Sequence, residues 1–328
     1  MSRKVVAVDA GYGDVKIKFR DKNGVVQDDI FNSIVGNYDP GISVDGLKSE
    51  MDIVEVDGEK FIVGRGALKH SSRIFNGRDK DWITSAAYKA LFAAGLYKCG
   101  CNAVDLIIMS GLPVTFYRSD KARLEGIIRD LAHTCSLKLT VKVIPQPVGA
   151  FFSLLFDEEG QVKDESLLSG RVGVLDIGFF TSDLVTMDEL EIVDKQIGSF
   201  ENGVSTALEA IIKDFNSEFG TRYDSHKDLH KIESAVRAGK IKISGEEIDI
   251  TRIVNGRLDE LADEIKTNAK TTWKDGLDLD QVILCGGGAA LLNGQLKSLY
   301  SHARVIENSQ FANVTGYFNF GENIAREA

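Results

Sequence analysis

The pattern strand, Asp, any residue, Gly, short turn, strand occurs twice in this chain, and each copy opens one half of it. The first copy is VVAVDAGYGDVKI, residues 5–17, and the second is VGVLDIGFFTSDLV, residues 172–185. In each, a run of β-branched and apolar residues reads as a buried strand. It delivers a carboxylate (Asp9, Asp176) and a glycine (Gly11, Gly178) where the chain turns back, and the returning strand carries a second aspartate (Asp14, Asp183). One such turn is common, because Asp and Gly favour turns for local reasons. Two of them heading two halves predict a duplicated unit.

The chemistry follows from what phosphates need. A turn without side-chain bulk lets backbone N–H groups point at phosphate oxygens, and glycine permits the dihedrals this requires. A carboxylate at a strand end suits a hydrated Mg²⁺, which takes one or two carboxylates together with water and substrate phosphates. A third segment, VILCGGGAALL, sets Gly286, Gly287 and Gly288 between a strand and a helix. It is neither a P-loop nor a dinucleotide fingerprint, since Leu291 stands where the last glycine would be. A tight strand-to-helix turn and a backbone face for a flat ring both fit it. A fourth, VIPQPVGAFF, places Gln146 at a strand end before a proline suited to the first turn of a helix. A glutamine so placed can orient a water for attack on a terminal phosphate.

Strand-like and helix-like runs alternate along the remaining sequence, which predicts an α/β class. Helical spacing begins near Trp82 and stops at Gly100. Ser119 is the expected cap of a helix carrying Leu124, Ile127, Ile128 and Leu131. A long amphipathic helix is expected from Val204 to Phe219, ending at Gly220, and another through Leu258 and Ala269. Short strands are expected in the charged stretch 221–256, and a strand, glycine turn and helix over 281–300. The polar segment 157–171 is the expected boundary between halves.

With 328 residues, the chain is long enough to bury a sizeable core. Its net charge of −10 and the lack of a Lys/Arg-rich run argue against direct binding to nucleic acid or to an anionic membrane, so any dealings with DNA are expected to run through a partner. No apolar run reaches membrane-span length, and the chain is expected to be cytoplasmic. Cys99, Cys101, Cys135 and Cys285 lack zinc-knuckle spacing and read as free thiols in a reducing compartment, while His226 and His230, four apart, read as surface residues.

Taken in order, these segments resemble the five nucleotide-site motifs of the actin, 70-kDa heat-shock chaperone and sugar-kinase superfamily. DAGYGDVK resembles the phosphate-1 motif, PQPVGA the first connecting motif, LDIGFFTSD phosphate-2, LCGGGAAL the adenosine motif, and FANVTGYFN near the C-terminus the second connecting motif. Within that superfamily, SGLPV and QFANVTGY make the chain most similar to bacterial and archaeal actin homologues of the ParM/StbA type. The resemblance implies an actin-like, ribonuclease H-like duplicated α/β fold with a nucleotide cleft between two domains: residues 1–160 with 309–328, and residues 161–308. It implies Asp9 and Asp176 as the Mg²⁺-side carboxylates, Gly11, Tyr12 and Gly13 as backbone donors to phosphate, and Lys16 as a neutralising charge. Gln146 would be the water-positioning residue, Gly178 and Thr181 the phosphate-2 turn, and Gly286, Gly287 and Gly288 the adenosine contact. Tyr12 stands where many relatives have Ser or Thr, and Phe179 and Phe180 replace small residues.

The activity so implied is that of an ATPase, with GTP as the alternative nucleotide, forming head-to-tail filaments that turn over on hydrolysis and move DNA through a DNA-binding adaptor. The alternatives are a small-molecule kinase on the same scaffold and a cytoskeletal homologue with a cell-shape role.

Overall fold

A computed structural model describes residues 3–39, 51–75, 81–100, 103–225 and 227–327. Cys101 and His226 lie outside these residues. The chain divides into two units, residues 1–165 with 313–328, and residues 166–312.

The first unit begins with the hairpin of β1 (Lys4–Ala10) and β2 (Asp14–Arg20), continued antiparallel by β3 (Val26–Asn32). Next come β4 (Val35–Asn37), β5 (Asp52–Val56), β6 (Glu59–Val63), α1 (Arg65–His70) and β7 (Ile74–Phe75); the four strands form a separate small sheet in the order β5-β6-β4-β7. The main sheet is completed through α2 (Ala86–Lys98), β8 (Ala103–Leu112), α3 (Val114–Ala132) and β9 (Ser136–Pro145), and α4 (Gln146–Leu155) follows. Its order is β3-β2-β1-β8-β9, with β8 parallel to both neighbours. Helix α2 begins at Ser85, whose side chain accepts from the Tyr88 N–H at 3.1 Å. Its Leu91 and Phe92 join Val6, Val8, Ile17, Leu106 and Ile108 in one core.

Helix α3 starts after Pro113, six residues before Ser119, the residue expected to cap it. Ser119 instead donates to the Phe116 carbonyl inside the helix, and Leu124 and Ile128 are the members of its expected stripe that are fully buried. Pro113 fits this start, because its missing N–H costs nothing at a helix entry.

The second unit repeats the plan. After α5 (Ser166–Ser169), β10 (Arg171–Ile177) and β11 (Ser182–Asp188) form the second hairpin, and β12 (Glu191–Phe200) continues it. Helices α6 (Val204–Phe219) and α7 (Leu229–Ala238), the hairpin of β13 (Lys240–Ile243) and β14 (Glu246–Asp249), and α8 (Thr251–Trp273) come next. The sheet closes with β15 (Gln281–Cys285), α9 (Gly287–Leu291), α10 (Asn293–Leu296) and β16 (Ala303–Val305) in the order β12-β11-β10-β15-β16. Strand for strand this is the order of the first sheet, so the duplication read from the two hairpins extends to five strands. Helix α6 stops at Gly220, whose φ of 62° an L side chain would resist. The single helix expected after the triple glycine is two short helices meeting at Leu292. Helix α7 was not expected; its Leu229, Ile232 and Val236 are buried under an otherwise charged surface.

The last helix, α11 (Ala312–Glu327), belongs to the first unit from Asn313 onward. It lies against α4 backbone to backbone. A Cβ on Gly316 would fall on the Gly149 carbonyl oxygen and within 2.7 Å of the Ser153 nitrogen. The Tyr317 ring fills the space that side chains at Gly111 and Gly149 would take. Asn319 donates to the Phe156 carbonyl at 2.7 Å in the buried seam. The glycines of the two segments read as connecting motifs are therefore needed by packing.

Candidate functional site

In the first unit the hairpin puts Asp9 directly across from Lys16. The carboxylate is 3% exposed, with Lys16 Nζ 3.4 Å from Oδ2 and Gln146 Nε2 3.3 Å from Oδ1. An ionised carboxylate only accepts, so the Gln146 amide must turn its NH₂ to Asp9, which leaves Oε1 as the acceptor on its other side. Gln146 opens α4 with Pro147 in the first turn, so a rigid element carries it. The four residues between the paired Ala10 and Val15 are Gly11, Tyr12, Gly13 and Asp14.

Ser33 clips this loop. Its hydroxyl donates to the Gly11 carbonyl at 2.6 Å and its N–H to the Gly13 carbonyl at 2.9 Å. In a planar trans peptide the N–H of the next residue points opposite to the carbonyl. The N–H groups of Tyr12 and Asp14 are therefore directed away from Ser33. The Tyr12 ring stacks on Trp82 with centroids 5.8 Å apart and an interplanar angle of 22°. Tyr88 meets Trp82 edge on. Burial, then the Asp9 charge and the Tyr12 phenol, hold the Tyr88 hydroxyl protonated far above the ordinary tyrosine range.

In the second unit the loop between the paired Ile177 and Ser182 is Gly178, Phe179, Phe180 and Thr181, again four residues. The two loops therefore align without a gap: Gly178 matches Gly11, Thr181 matches Asp14, and Asp183 matches Lys16. The pairing of Asp14 with Asp183 expected from sequence is off by two positions. Asp176 faces Asp183 across the strands, both nearly fully buried, where the first unit has an acid facing a lysine. Thr181 Oγ1 donates to Asp183 Oδ2 at 2.7 Å.

This loop sits on the start of α6. The carbonyls of Phe180, Gly178 and Phe179 accept from the N–H groups of Gly203, Val204 and Ser205 at 2.9, 3.1 and 2.8 Å. Gly203 is required there, since a Cβ would run into the backbone of Phe179 and Phe180. By the same peptide geometry, the N–H groups of Phe179, Phe180 and Thr181 are directed away from the helix, as successive donors of the kind that form an anion-binding nest. The bulk of Phe179 is carried off to one side, where its ring stacks on His230 of α7 at 5.8 Å and 12°. His230, expected at the surface, is thus half-buried against this loop.

The triple glycine follows β15, which pairs parallel with β10, Asp176 opposite Cys285. Gly286 has φ 85°, and a Cβ there would meet the Asp176 carboxylate and lie 2.8 Å from the Ile177 carbonyl carbon. A Cβ on Gly288 would lie 2.9 Å from Val204 Cγ2. Packing alone requires these two glycines. Beside Gly287 the nearest atoms, from Arg237 and Gln310, are 3.9 Å away. Arg237 is paired with Glu233 at 2.8 Å and reaches the Gly287 carbonyl at 3.5 Å.

The fold thus brings Asp9, Gly11, Tyr12, Lys16 and Gln146 together in one unit, with Gly13 buried in the same loop, and Asp176, Gly178, Thr181, Gly286 and Gly288 in the other. Sequence reasoning missed Ser33, Trp82, Tyr88 and Arg237, which arrive from other elements. The serine of FNSIVGN was visible, but nothing in its own neighbourhood ties it to the first turn. Among the described residues no group of three or more His, Cys, Asp or Glu is placed to hold a metal. Each of the buried carboxylates, Asp9 in its unit and Asp176 in the other, stands beside its own glycine turn and has the chemistry of a hydrated Mg²⁺ contact, which needs only one or two carboxylates besides water and phosphate.

Residues 7–149 match the family model of the N-terminal domain of actin-like proteins, and residues 174–298 that of the C-terminal domain of archaeal MreB-like actin homologues. No curated protein sequence matches significantly. Among solved structures, Ta0583, an archaeal actin homolog, superposes with a TM-score of 0.75 at 22% identity, over 99% of this chain and 100% of that one. A ParM from a 15-stranded Clostridium botulinum filament gives 0.74 at 22% identity, over 98% and 99%. Bacillus thuringiensis ParM with AMPPNP gives 0.69 at 15% identity, over 100% of both. Matched by actin-like family models in both of its halves and sharing their fold along its whole length, the chain belongs to the actin-like superfamily, with the fold of the ParM-type proteins.

Proposed function

We propose that this protein is an actin-like ATPase that binds Mg·ATP through its two Asp-x-Gly hairpins and polymerises head to tail into filaments that weaken on hydrolysis. The observation that carries this reading is the capture of loop carbonyls in both hairpins, by Ser33 in one and by the start of α6 in the other, which turns backbone donors outward from two bare turns. In this reading Gly11, Tyr12, Gly13, Gly178 and Thr181 line the phosphates, and Lys16 leaves Asp9 to neutralise phosphate charge. Gln146, anchored on Asp9, directs the attacking water with Oε1. Asp9 and Asp176 would hold Mg²⁺ through water, and the ion would supply charge neutralisation to the phosphates. Of the three glycines assigned to the adenosine, Gly287 has the open space to face it.

Structural neighbours support the nucleotide and the assembly: Ta0583 has been seen with ADP, and ParM proteins with AMPPNP and as a filament. Head-to-tail contacts give open filaments naturally. A net charge of −10 suits a cytoplasmic protein that segregates plasmid or other DNA through a basic adaptor. No helix among the described residues is long and apolar enough to cross a membrane. The test is calorimetric titration with Mg·AMPPNP and, separately, GTP, alongside phosphate release. Wild type is expected to bind, Lys16→Ala to lose affinity, and Gln146→Ala to bind normally while releasing phosphate slowly. Absence of binding at millimolar nucleotide refutes the reading.

A further inference from the structure

Trp82 lies beside the first hairpin, 6% exposed, and its indole Nε1 has no hydrogen-bond partner among the described residues. The chain's other tryptophan is just as buried, yet its Nε1 donates to Thr186 Oγ1 at 2.9 Å. A buried indole N–H can only donate, and leaving it unmet costs its full desolvation. Next to Trp82 is a cavity of about 30 Å³, whose walls include Gly11, Tyr12, Trp82, Tyr88, Asp120 and Gln146. That is room for one or two waters; the walls are more apolar than polar, with Ile83, Leu112 and Phe116 among them, and Tyr12, Trp82, Tyr88, Asp120 and Gln146 are the side chains there able to bond to a water.

We infer that this cavity is a resident water site, and that Trp82, through its indole N–H, is a positioning residue for the water that Gln146 directs. The geometry leaves the indole few other options. The ring is stacked by Tyr12 and packed at about a right angle by Tyr88, so a small acceptor is what the N–H can reach. A water accepting from Trp82 keeps both protons to give. Gln146, whose Oε1 is turned from Asp9 and can accept, also lines this cavity. The Tyr12–Trp82 stack links the occupant to the first hairpin loop, so a change in that loop reaches the water. The catalytic half of this inference rests on the ATPase reading; the water site itself does not.

Two measurements separate them. In Trp273→Phe protein, whose only indole is Trp82, emission with no nucleotide present is expected to be red-shifted, as for an indole bonded to water. A blue, dry emission overturns the water site whatever nucleotide does. In Trp82→Phe protein, which keeps an aromatic ring but loses the donor, ATP turnover is expected to fall about three- to tenfold, the loss of one neutral hydrogen bond in the transition state. Calorimetric affinity for Mg·AMPPNP and the unfolding temperature are expected to stay at the wild-type values. Unchanged turnover, or turnover and affinity falling together, overturns the positioning role. Wild-type protein that binds no nucleotide refutes the ATPase reading and the positioning role with it, while the emission result still decides the water site.

Discussion

Replacing Gly316 with alanine forces a methyl group into the seam between α11 and α4. The new Cβ would sit on the Gly149 carbonyl oxygen, 2.6 Å from its carbon and 2.7 Å from the Ser153 nitrogen. Ordinary contacts of a carbon need about 3.5 Å or more, so the two helices must separate by roughly 1.5–2 Å at the Gly149 carbonyl, and the obstacle is backbone, which cannot rotate away. The separation would loosen Val314, Tyr317, Phe318 and Asn319, all buried on α11. Overpacking of this kind costs about 1–3 kcal/mol and sometimes more. For a unit of this size that is a fall of roughly 5–10 °C in the unfolding midpoint. Gly126 in α3 is the control: nothing lies within 4 Å of a Cβ there, so alanine should stabilise by about 0.4–1 kcal/mol through helix propensity and chain entropy. Thermal and urea unfolding followed by far-UV circular dichroism measures both. Equal midpoints for Gly316→Ala and Gly126→Ala would refute the argument that these motif glycines serve helix contact.

Gly286→Ala should destabilise by roughly 2 kcal/mol or more, since φ 85° and contact with Asp176 both oppose a side chain; urea unfolding checks it, and wild-type stability would contradict it. Lys16→Gln leaves the buried Asp9 carboxylate without its cation and should cost about 3–5 kcal/mol, whereas Asp9→Asn/Lys16→Gln should regain most of the stability without regaining affinity for Mg·AMPPNP. Asp214 is held below the usual carboxylate range by its hydrogen bonds to Arg257, at 2.7 and 2.9 Å, against the opposing effect of burial. A depressed folded value gives stability that is present above the unfolded value of about 3.9 and lost as pH falls through the folded one. Asp214→Asn should therefore lower the stability measured by urea unfolding at pH 7, by about 1 kcal/mol for a partly exposed pair, and leave it unchanged near pH 2; equal losses at both would contradict the assignment.

The hairpins were legible in the sequence because a two-residue period and a D-x-G turn are local signals, and so was α6, whose apolar stripe ends at a left-handed glycine. Helix α7 was hidden because its four buried residues are spaced among charges and its stability comes from packing on the unit-2 core. The start of α3 was misplaced because Ser119 is an acceptable cap in isolation, while the proline that begins the helix also suits a turn. In the site, Asp9, Asp176 and Gln146 could be named from strand ends. Ser33, Trp82 and Arg237 could not, because each reaches its loop from a distant segment. The true register of Asp183 opposite Asp176 depended on loop length, which the sequence echo alone left two residues ambiguous.

The most direct test of the central claim is right-angle light scattering of the purified protein with Mg·ATP, with Mg·ADP and without nucleotide, with phosphate release followed in the same sample. The account predicts a rise with Mg·ATP that decays as phosphate appears, and little scattering with Mg·ADP or no nucleotide. Phosphate release with flat scattering at high protein concentration, or filaments equally stable with ADP and ATP, would contradict it.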